Sequence, residues 1–106
     1  MSISTHVLDA STGRPATGVP VTLLAADDTA LDRAATDADG RVGGLGGESA
    51  PGVYRLRFDT GAYFRERGVA TFYPEVSITF EITDAAAKYH VPLLLSPYAY
   101  STYRGS

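Results

Sequence analysis

Residues 75–83 read EVSITFEIT, and apolar and polar side chains alternate along this stretch. A β-strand points successive side chains to opposite faces, so this alternation predicts a strand with one buried face. Residues 53–59 (VYRLRFD) alternate in the same way, with Arg55, Arg57 and Asp59 on one side. Both stretches therefore predict strands of an antiparallel sheet that packs on the core through one face. The apolar face of the first stretch consists of Val76, Ile78, Phe80 and Ile82.

The rest of the chain divides into short apolar segments separated by turn residues. Residues 37–40 (DADG) predict a turn in which Gly40 adopts a positive φ, and the glycine-rich residues 43–52 predict a loop. Residues 61–68 (GAYFRERG) are the compact helical candidate, with glycine at the far end. Many short strands with one short helix indicate an all-β protein with an antiparallel β-sandwich fold. The other predicted strands are residues 3–9, 19–26, 31–36, 89–96 and 98–104.

Length and composition exclude several classes of function. The chain has 106 residues, a formal net charge of −3, no cysteine and two histidines. This length predicts a single domain over residues 1–106, and the mildly acidic balance argues against nucleic-acid binding. Without cysteine there are no disulfides, thiolate nucleophiles or cysteine-ligated metals. Because no targeting segment and no apolar run of membrane-spanning length is visible, we expect a soluble cytoplasmic protein without membrane partners.

The two histidines occupy predicted strands with a recognisable inward face. In residues 89–96 the odd positions are apolar, so His90 points away from the core. In residues 3–9, His6 shares one side with Ser4, and if both strands belong to one sheet, both histidines can lie on its outer face. A domain of this size has little room for an enclosed pocket. A second subunit packed on that outer face would enclose a site there.

Each of these features also has a purely structural explanation. A lone histidine in a strand is more often a surface or core residue than a catalytic one. Arg41 follows the turn at residues 37–40 and equally suits the start of a strand. The tyrosine-rich residues 89–103 are typical of a sheet edge or an oligomer contact as well. Spacings of the HExxH type, which hold a hydrolytic metal ion, are absent.

A set of short motifs narrows these alternatives. They are residues 4–9 (STHVLD), 13–16 (GRPA), 36–41 (TDADGR), 72–75 (FYPE) and 89–106 (YHVPLLLSPYAYSTYRGS). Together they resemble the 5-hydroxyisourate hydrolases, the transthyretin-related proteins of purine metabolism and urate catabolism, over essentially the whole chain. The closing YRGS tetrapeptide is the most specific of these motifs, because it separates the hydrolases from transthyretin itself.

The resemblance implies an antiparallel β-sandwich of two four-stranded sheets with one short helix, of the transthyretin-like (prealbumin-like) type. It implies a homotetramer, a dimer of dimers, with each active site in a groove where the outer sheets of two dimers face each other. It implies neither a metal ion nor an organic cofactor. By their positions in the motifs, the catalytic residues are His6, Arg41, His90 and Ser106, and the substrate-binding residues are His6, Arg41, Tyr103, Arg104 and Gly105.

The implied reaction is hydrolysis of 5-hydroxyisourate, the product of urate oxidation, to 2-oxo-4-hydroxy-4-carboxy-5-ureidoimidazoline. Water attacks a ring carbonyl and the amide bond breaks. Imidazole, with an ordinary pKa of about 6.5, suits a general base, and a fixed cation such as Arg41 suits the developing oxyanion. One histidine activates water while the other orients the substrate or donates a proton. The residues do not decide between them; we favour His90 as the base, with Ser106 or its terminal carboxylate nearby.

Two functions of other classes stay open beside this one. A carrier of the transthyretin type would bind an apolar hormone in the same intersubunit channel, where His6, Arg41 and His90 are not needed. A structural module would use the apolar outer face for assembly alone, and the YRGS motif argues against it. An assay with urate and urate oxidase, with and without the protein, separates the enzyme from the carrier.

Overall fold

The computed structural model describes residues 2–47 and 49–106. Within these residues the chain forms short strands and one short helix, as the alternating patterns predict, and most bounds differ from the predicted ones by at most two residues. The strands are β1 Ser2–Asp9, β2 Arg14–Pro15, β3 Pro20–Ala25, β4 Ala30–Ala35, β5 Arg41–Leu45, β6 Gly52–Phe58, β7 Val76–Ile82, β8 Lys88–Ser96 and β9 Ala99–Thr102, and the helix is α1 Thr60–Glu66.

The strands form two sheets that enclose one core. The β6 sheet has the order β4-β3-β6-β7 and is antiparallel throughout. The β8 sheet has the order β2-β1-β8-β9, with β5 also paired to β1 and a parallel β1–β8 pair. Because β8 pairs along the whole of β1, the short strands β2 and β5 follow one another on its opposite side. The predicted β-sandwich is confirmed, and the β8 sheet has five strands because two of them share one edge position.

Strand β5 extends into residues 43–52, which the sequence predicted to be a loop, so that prediction is wrong for the first three of these residues. Val42 and Leu45 are buried against β1, and their burial outweighs the weak strand preference of the intervening glycines. Gly44 adopts a φ of 64° where the register of the β1–β5 pair shifts, a conformation that glycine accommodates at a bulge.

The core lies between the inner faces of the two sheets, and α1 packs into it through Tyr63 and Phe64. The helix begins after Asp59, whose carboxylate accepts a hydrogen bond from the amide of Ala62 at 3.1 Å and so satisfies one free N–H of the first turn. The side chains that are completely buried include Val7, Leu23, Leu56, Phe58, Ile82 and Leu93.

A buried carboxylate joins α1 to the end of β1. Asp9, only 2% exposed, accepts hydrogen bonds from the hydroxyl of Tyr63 at 2.8 Å and from the amide of Ser11 at 3.0 Å. Burial, and then the hydrogen bond and charge of Asp9, raises the pKa of Tyr63 to about 12, so the phenol remains a donor. Arg67 stacks on the same ring, 3.7 Å from its centroid. These contacts hold α1 against the end of β1.

Candidate active site

Both histidines lie on the outer face of the β8 sheet. The parallel β1–β8 register places Ser4 beside His90 and His6 beside Pro92. Paired residues of neighbouring strands point to the same face, so these side chains share one surface. The odd-numbered residues of both strands are buried, whereas Ser4, His6 and His90 are half-buried. Their orientation is therefore the one that the alternation in the sequence indicates.

A hydroxyl group from the neighbouring strand fixes the ring of His90. The Oγ atom of Ser4 and the Nδ1 atom of His90 are 2.8 Å apart and share a hydrogen bond. The hydrogen bond that one ring nitrogen of histidine makes determines which of the two nitrogens carries the hydrogen. Because Nδ1 is engaged by Ser4, Nε2 is the nitrogen that is available for water or a ligand.

The surroundings of His90 favour its neutral form. Burial lowers the pKa of His90 below its ordinary value of 6.5, and the nearby charges of Arg41 and His6 lower it further. A hydrogen bond to the backbone of Ser4 raises the pKa of His90 but does not cancel these effects. At neutral pH the imidazole is therefore uncharged and can accept a proton.

A tight turn places Arg41 opposite His6. The β1–β5 ladder pairs these two residues directly. In the turn, Oδ1 of Asp37 accepts a hydrogen bond from the amide of Arg41 at 2.9 Å, an arrangement that carboxylates favour in turns. Gly40 has a φ of 75°, as the sequence predicts, and its carbonyl accepts a hydrogen bond from β1 at 2.7 Å. The turn thus brings a guanidinium to the face that holds the histidines.

The segment after β9 passes directly beside His90. The amide of Gly105 donates a hydrogen bond to the carbonyl of His90 at 2.9 Å, and the two residues form a β-bridge. A Cβ atom at residue 105 would lie 3.1 Å from Cγ of the histidine ring and nearer still to Cδ2. Glycine is therefore the residue that lets the backbone approach the ring this closely, and the next residue, Ser106, reaches the same surface.

Arg41, His90 and Ser106 line one open groove of about 390 Å³ on this face. His6 is outside the lining and lies next to Arg41 along the sheet. Lys88 also lines the groove, although sequence reasoning did not single it out; its position two residues before His90 on one strand face was the available signal. The other lining residues are Ser4, Thr5, Val42 and Gly43.

Tyr103 and Arg104 line a second space, the edge cavity, of about 350 Å³ between the two sheets. His90 borders both the groove and the edge cavity. The guanidinium carbon of Arg104 lies 4.7 Å from the centroid of the Tyr89 ring. The groove thus takes Arg41, His90 and Ser106 of the predicted site residues, the edge cavity takes Tyr103, Arg104 and again His90, and His6 and Gly105 line neither. The other residues of the edge cavity are Ile78, Phe80, Glu81, Val91 and Thr102.

The groove offers an imidazole, a guanidinium, an ammonium group and hydroxyls. Such a set suits the binding of a flat polar molecule and the transfer of a proton. Across residues 2–47 and 49–106, no three histidine, aspartate or glutamate side chains are grouped as metal ligands would be. In the same part of the chain, no helix has the length and apolar character needed to cross a membrane.

Comparison with known protein families agrees with this fold. The model of the HIUase/Transthyretin family matches residues 3–105. The chain belongs to this family. The region that the family model matches contains His6, Arg41, His90 and all but the last residue of the YRGS motif. The family resemblance of the sequence motifs is thereby confirmed.

Relatives of this family member are similar over nearly its whole length. The 5-hydroxyisourate hydrolase of Salmonella dublin is 50% identical over 109 residues, which cover 98% of this chain and 80% of that protein. The structure of Klebsiella pneumoniae 5-hydroxyisourate hydrolase aligns with a TM-score of 0.91 at 38% identity and covers 100% of both chains. Transthyretin from Sparus aurata aligns with a TM-score of 0.89 at 33% identity, covering 97% of this chain and 95% of that chain. The fold is thus shared by the hydrolase and transthyretin.

Proposed function

We propose that this family member hydrolyses 5-hydroxyisourate in the groove, acting as one domain over residues 1–106. The arrangement around His90 carries the proposal. Its Nδ1 atom is engaged by Ser4, its pKa is lowered, and Arg41 and Ser106 line the same groove. The names of the Salmonella and Klebsiella relatives support the same substrate.

In this proposal the hydrogen of neutral His90 is on Nδ1 and is donated to Oγ of Ser4, so Nε2 has a free lone pair. The reaction begins when Nε2 accepts a proton from water as the water oxygen bonds to the ring carbonyl carbon. A positioned general base of this kind contributes roughly 10²–10⁴-fold to the rate. The carbonyl oxygen becomes negatively charged, and the guanidinium of Arg41 stabilises it, a type of contact that contributes about 3–4 kcal/mol. The tetrahedral intermediate then breaks its carbon–nitrogen bond. The departing nitrogen takes a proton from the His90 imidazolium, or from protonated His6, in which case His90 releases its own proton to solvent. The product is 2-oxo-4-hydroxy-4-carboxy-5-ureidoimidazoline.

The other site residues act as binding groups in this proposal. His6 lies beside Arg41 and orients the substrate when it does not donate the proton. Gly105 keeps its backbone against the His90 ring, which leaves space for a flat substrate at the groove. Ser106 supplies a hydroxyl to the groove, and Tyr103, 59% exposed, supplies an aromatic ring beside it.

We propose that the active assembly is a homotetramer, a dimer of dimers, in which a second subunit covers the groove. The outer face of the β8 sheet carries Leu8 and Leu94 beside the histidines, and apolar groups on an open face favour association. Strand β9 is exposed along its length, and within the described residues it pairs with β8 alone. A free strand edge favours pairing with another chain. Light scattering coupled to size exclusion tests this: a mass of four chains supports it, and a monomer opposes it.

We also propose that the protein acts in the cytoplasm, where its substrate would be formed from urate. Cell fractionation tests this location: recovery with cytoplasmic marker enzymes supports it, and recovery in another compartment opposes it.

The activity itself is tested with freshly generated 5-hydroxyisourate, made from urate by urate oxidase. The protein is expected to accelerate the decay of the ultraviolet absorbance of this intermediate. His90→Ala is expected to keep the fold, checked by circular dichroism and size exclusion, and to lose most of the acceleration. Unchanged decay with the wild-type protein would contradict the substrate, and near-normal decay with His90→Ala would contradict the role of this histidine.

A carrier of the transthyretin type is the second candidate, because the fold also aligns with transthyretin. The groove disfavours it, since Arg41, Lys88 and His90 present polar groups to a ligand that would have to be apolar. Calorimetric titration with an apolar aromatic ligand separates the two functions. Tight binding without turnover of 5-hydroxyisourate would favour the carrier.

A further inference from the structure

The segment after β9 keeps the register of the sheet although its strand has ended. In the β8–β9 ladder Leu93 pairs with Thr102, and the bridge between His90 and Gly105 continues the same register three residues further on. Side chains alternate between the faces along such a ladder. Gly105 therefore shares the outer face with His90, and Arg104 is directed to the inner side.

On the inner side, Arg104 meets a ring that is itself fixed. Tyr89 is 5% exposed, and its hydroxyl accepts hydrogen bonds from the amides of Thr83 and Asp84 at 3.1 and 3.0 Å. These bonds, the one from Asp84 first, lower the pKa of Tyr89, and the charge of Arg104 acts in the same direction. Tyr89 thus connects the turn between β7 and β8 to the segment that follows β9.

Two contacts hold successive residues of this segment, one between side chains on the inner face and one between backbones within the sheet. The guanidinium of Arg104 lies 4.7 Å from the centroid of the Tyr89 ring, within the range of a cation–π interaction. The next residue, Gly105, donates its amide to the carbonyl of His90 at 2.9 Å. Both contacts hold the residues directly before Ser106, which lines the groove.

We propose that Tyr89 and Arg104 form a clamp that positions Ser106 beside His90, so that Arg104 acts through the tyrosine ring and not through contact with the substrate. The kinetic part of this proposal rests on the proposed hydrolase function, whereas the structural part does not. In this proposal Tyr89 is a positioning residue. Arg104 is also a positioning residue and is not one of the substrate-binding residues of the groove.

The protein contains a matched pair for comparison. Arg67 stacks on Tyr63 at 3.7 Å, on a ring that is also buried, although its hydroxyl donates to Asp9 where that of Tyr89 accepts. This pair belongs to α1 and does not line the groove. Arg67→Gln therefore removes a similar cation–π contact at a distance from Ser106. Any effect that Arg104→Gln has and Arg67→Gln lacks reports on the clamp.

The first experiment measures hydrogen–deuterium exchange of the Gly105 amide by NMR, with assembly checked by size exclusion. Arg104→Gln and Tyr89→Leu are expected to speed exchange of this amide about three- to tenfold, because each removes the cation–π contact. Arg104→Lys keeps a cation and is expected to restore most of the protection, and Arg67→Gln is expected to leave this amide unchanged. Unaltered exchange in both Arg104→Gln and Tyr89→Leu would overturn the clamp.

The second experiment asks whether the effect on turnover passes through Ser106. Arg104→Gln is expected to lower kcat/KM severalfold in the full chain but to have little further effect when Ser106 is deleted. An equal loss in both backgrounds, carried by KM alone, would indicate direct substrate contact and contradict the proposal. Should the wild-type protein fail to hydrolyse 5-hydroxyisourate, the proposed function fails, and the exchange experiment still decides on the clamp.

Discussion

The Oγ atom of Ser4 and the Nδ1 atom of His90 lie 2.8 Å apart across a parallel pair of strands. The two residues are 86 positions apart in the chain, so their contact depends on the β1–β8 register. This register also places His6 on the same surface. The hydroxyl of Ser4 holds the imidazole in one orientation, and we infer that it keeps Nε2 directed to the groove.

Ser4→Ala is expected to lower kcat/KM for 5-hydroxyisourate about five- to tenfold, because His90 loses the hydrogen bond that sets its tautomer and orientation. Steady-state kinetics measures the loss. Ser77→Ala is the matched control, since Ser77 is an exposed serine in a strand of the β6 sheet. If Ser4→Ala retains full activity, or if Ser77→Ala loses as much, the orienting role of Ser4 is wrong.

His90 is expected to titrate below its ordinary pKa of 6.5, because burial and then the charges of Arg41 and His6 disfavour its protonated form. The neutral ring is the active base, so kcat/KM is expected to rise with pH through this pKa and to level off above it. The imidazole signal followed by NMR gives the midpoint directly. Arg41→Gln is expected to raise the midpoint, and Arg14→Gln, which removes an exposed cation of β2, is expected to leave it in place. A midpoint above 6.5, or one that Arg41→Gln does not move, contradicts this account.

Gly105→Ala is expected to lower turnover by tenfold or more while the protein stays folded. A methyl group at this position meets the ring of His90, so the backbone of residue 105 must move away and displace Ser106. Displacements of about 1 Å among reacting groups can cost on the order of 10²-fold in rate. Gly105→Val is expected to lower turnover further, because the larger side chain requires a larger displacement of the backbone at residue 105. Kinetics and thermal melting are measured together; full activity in Gly105→Ala would show that this close approach is not required.

How much the sequence predicts depends on whether a feature is local or between strands. Alternation is local, and it correctly assigned the outer face to His6 and His90. The pairing register is not local, so the contact between Ser4 and His90 could not be derived from alternation. Alternation does place Lys88 on the same strand face as His90. Strand β5 was missed because glycines carry no strand signal, and Val42 becomes a strand residue through its burial against β1. The inner direction of Arg104 follows from alternation only once the register of the segment after β9 is known.

Tyr63→Phe is expected to reduce the free energy of unfolding by about 1.5–3 kcal/mol, because the buried carboxylate of Asp9 loses the hydroxyl that donates to it at 2.8 Å. Equilibrium urea unfolding at fixed protein concentration measures this loss. Tyr54→Phe is the matched control: its hydroxyl donates to the exposed carbonyl of Ala50, which water can satisfy instead, so a change below about 1 kcal/mol is expected. Kinetic constants of Tyr63→Phe at low temperature are expected to stay near those of the wild type, since Tyr63 lines neither the groove nor the edge cavity. Equal losses of stability in the two variants would show that the hydrogen bond between Tyr63 and Asp9 stabilises the fold no more than the exposed one between Tyr54 and Ala50.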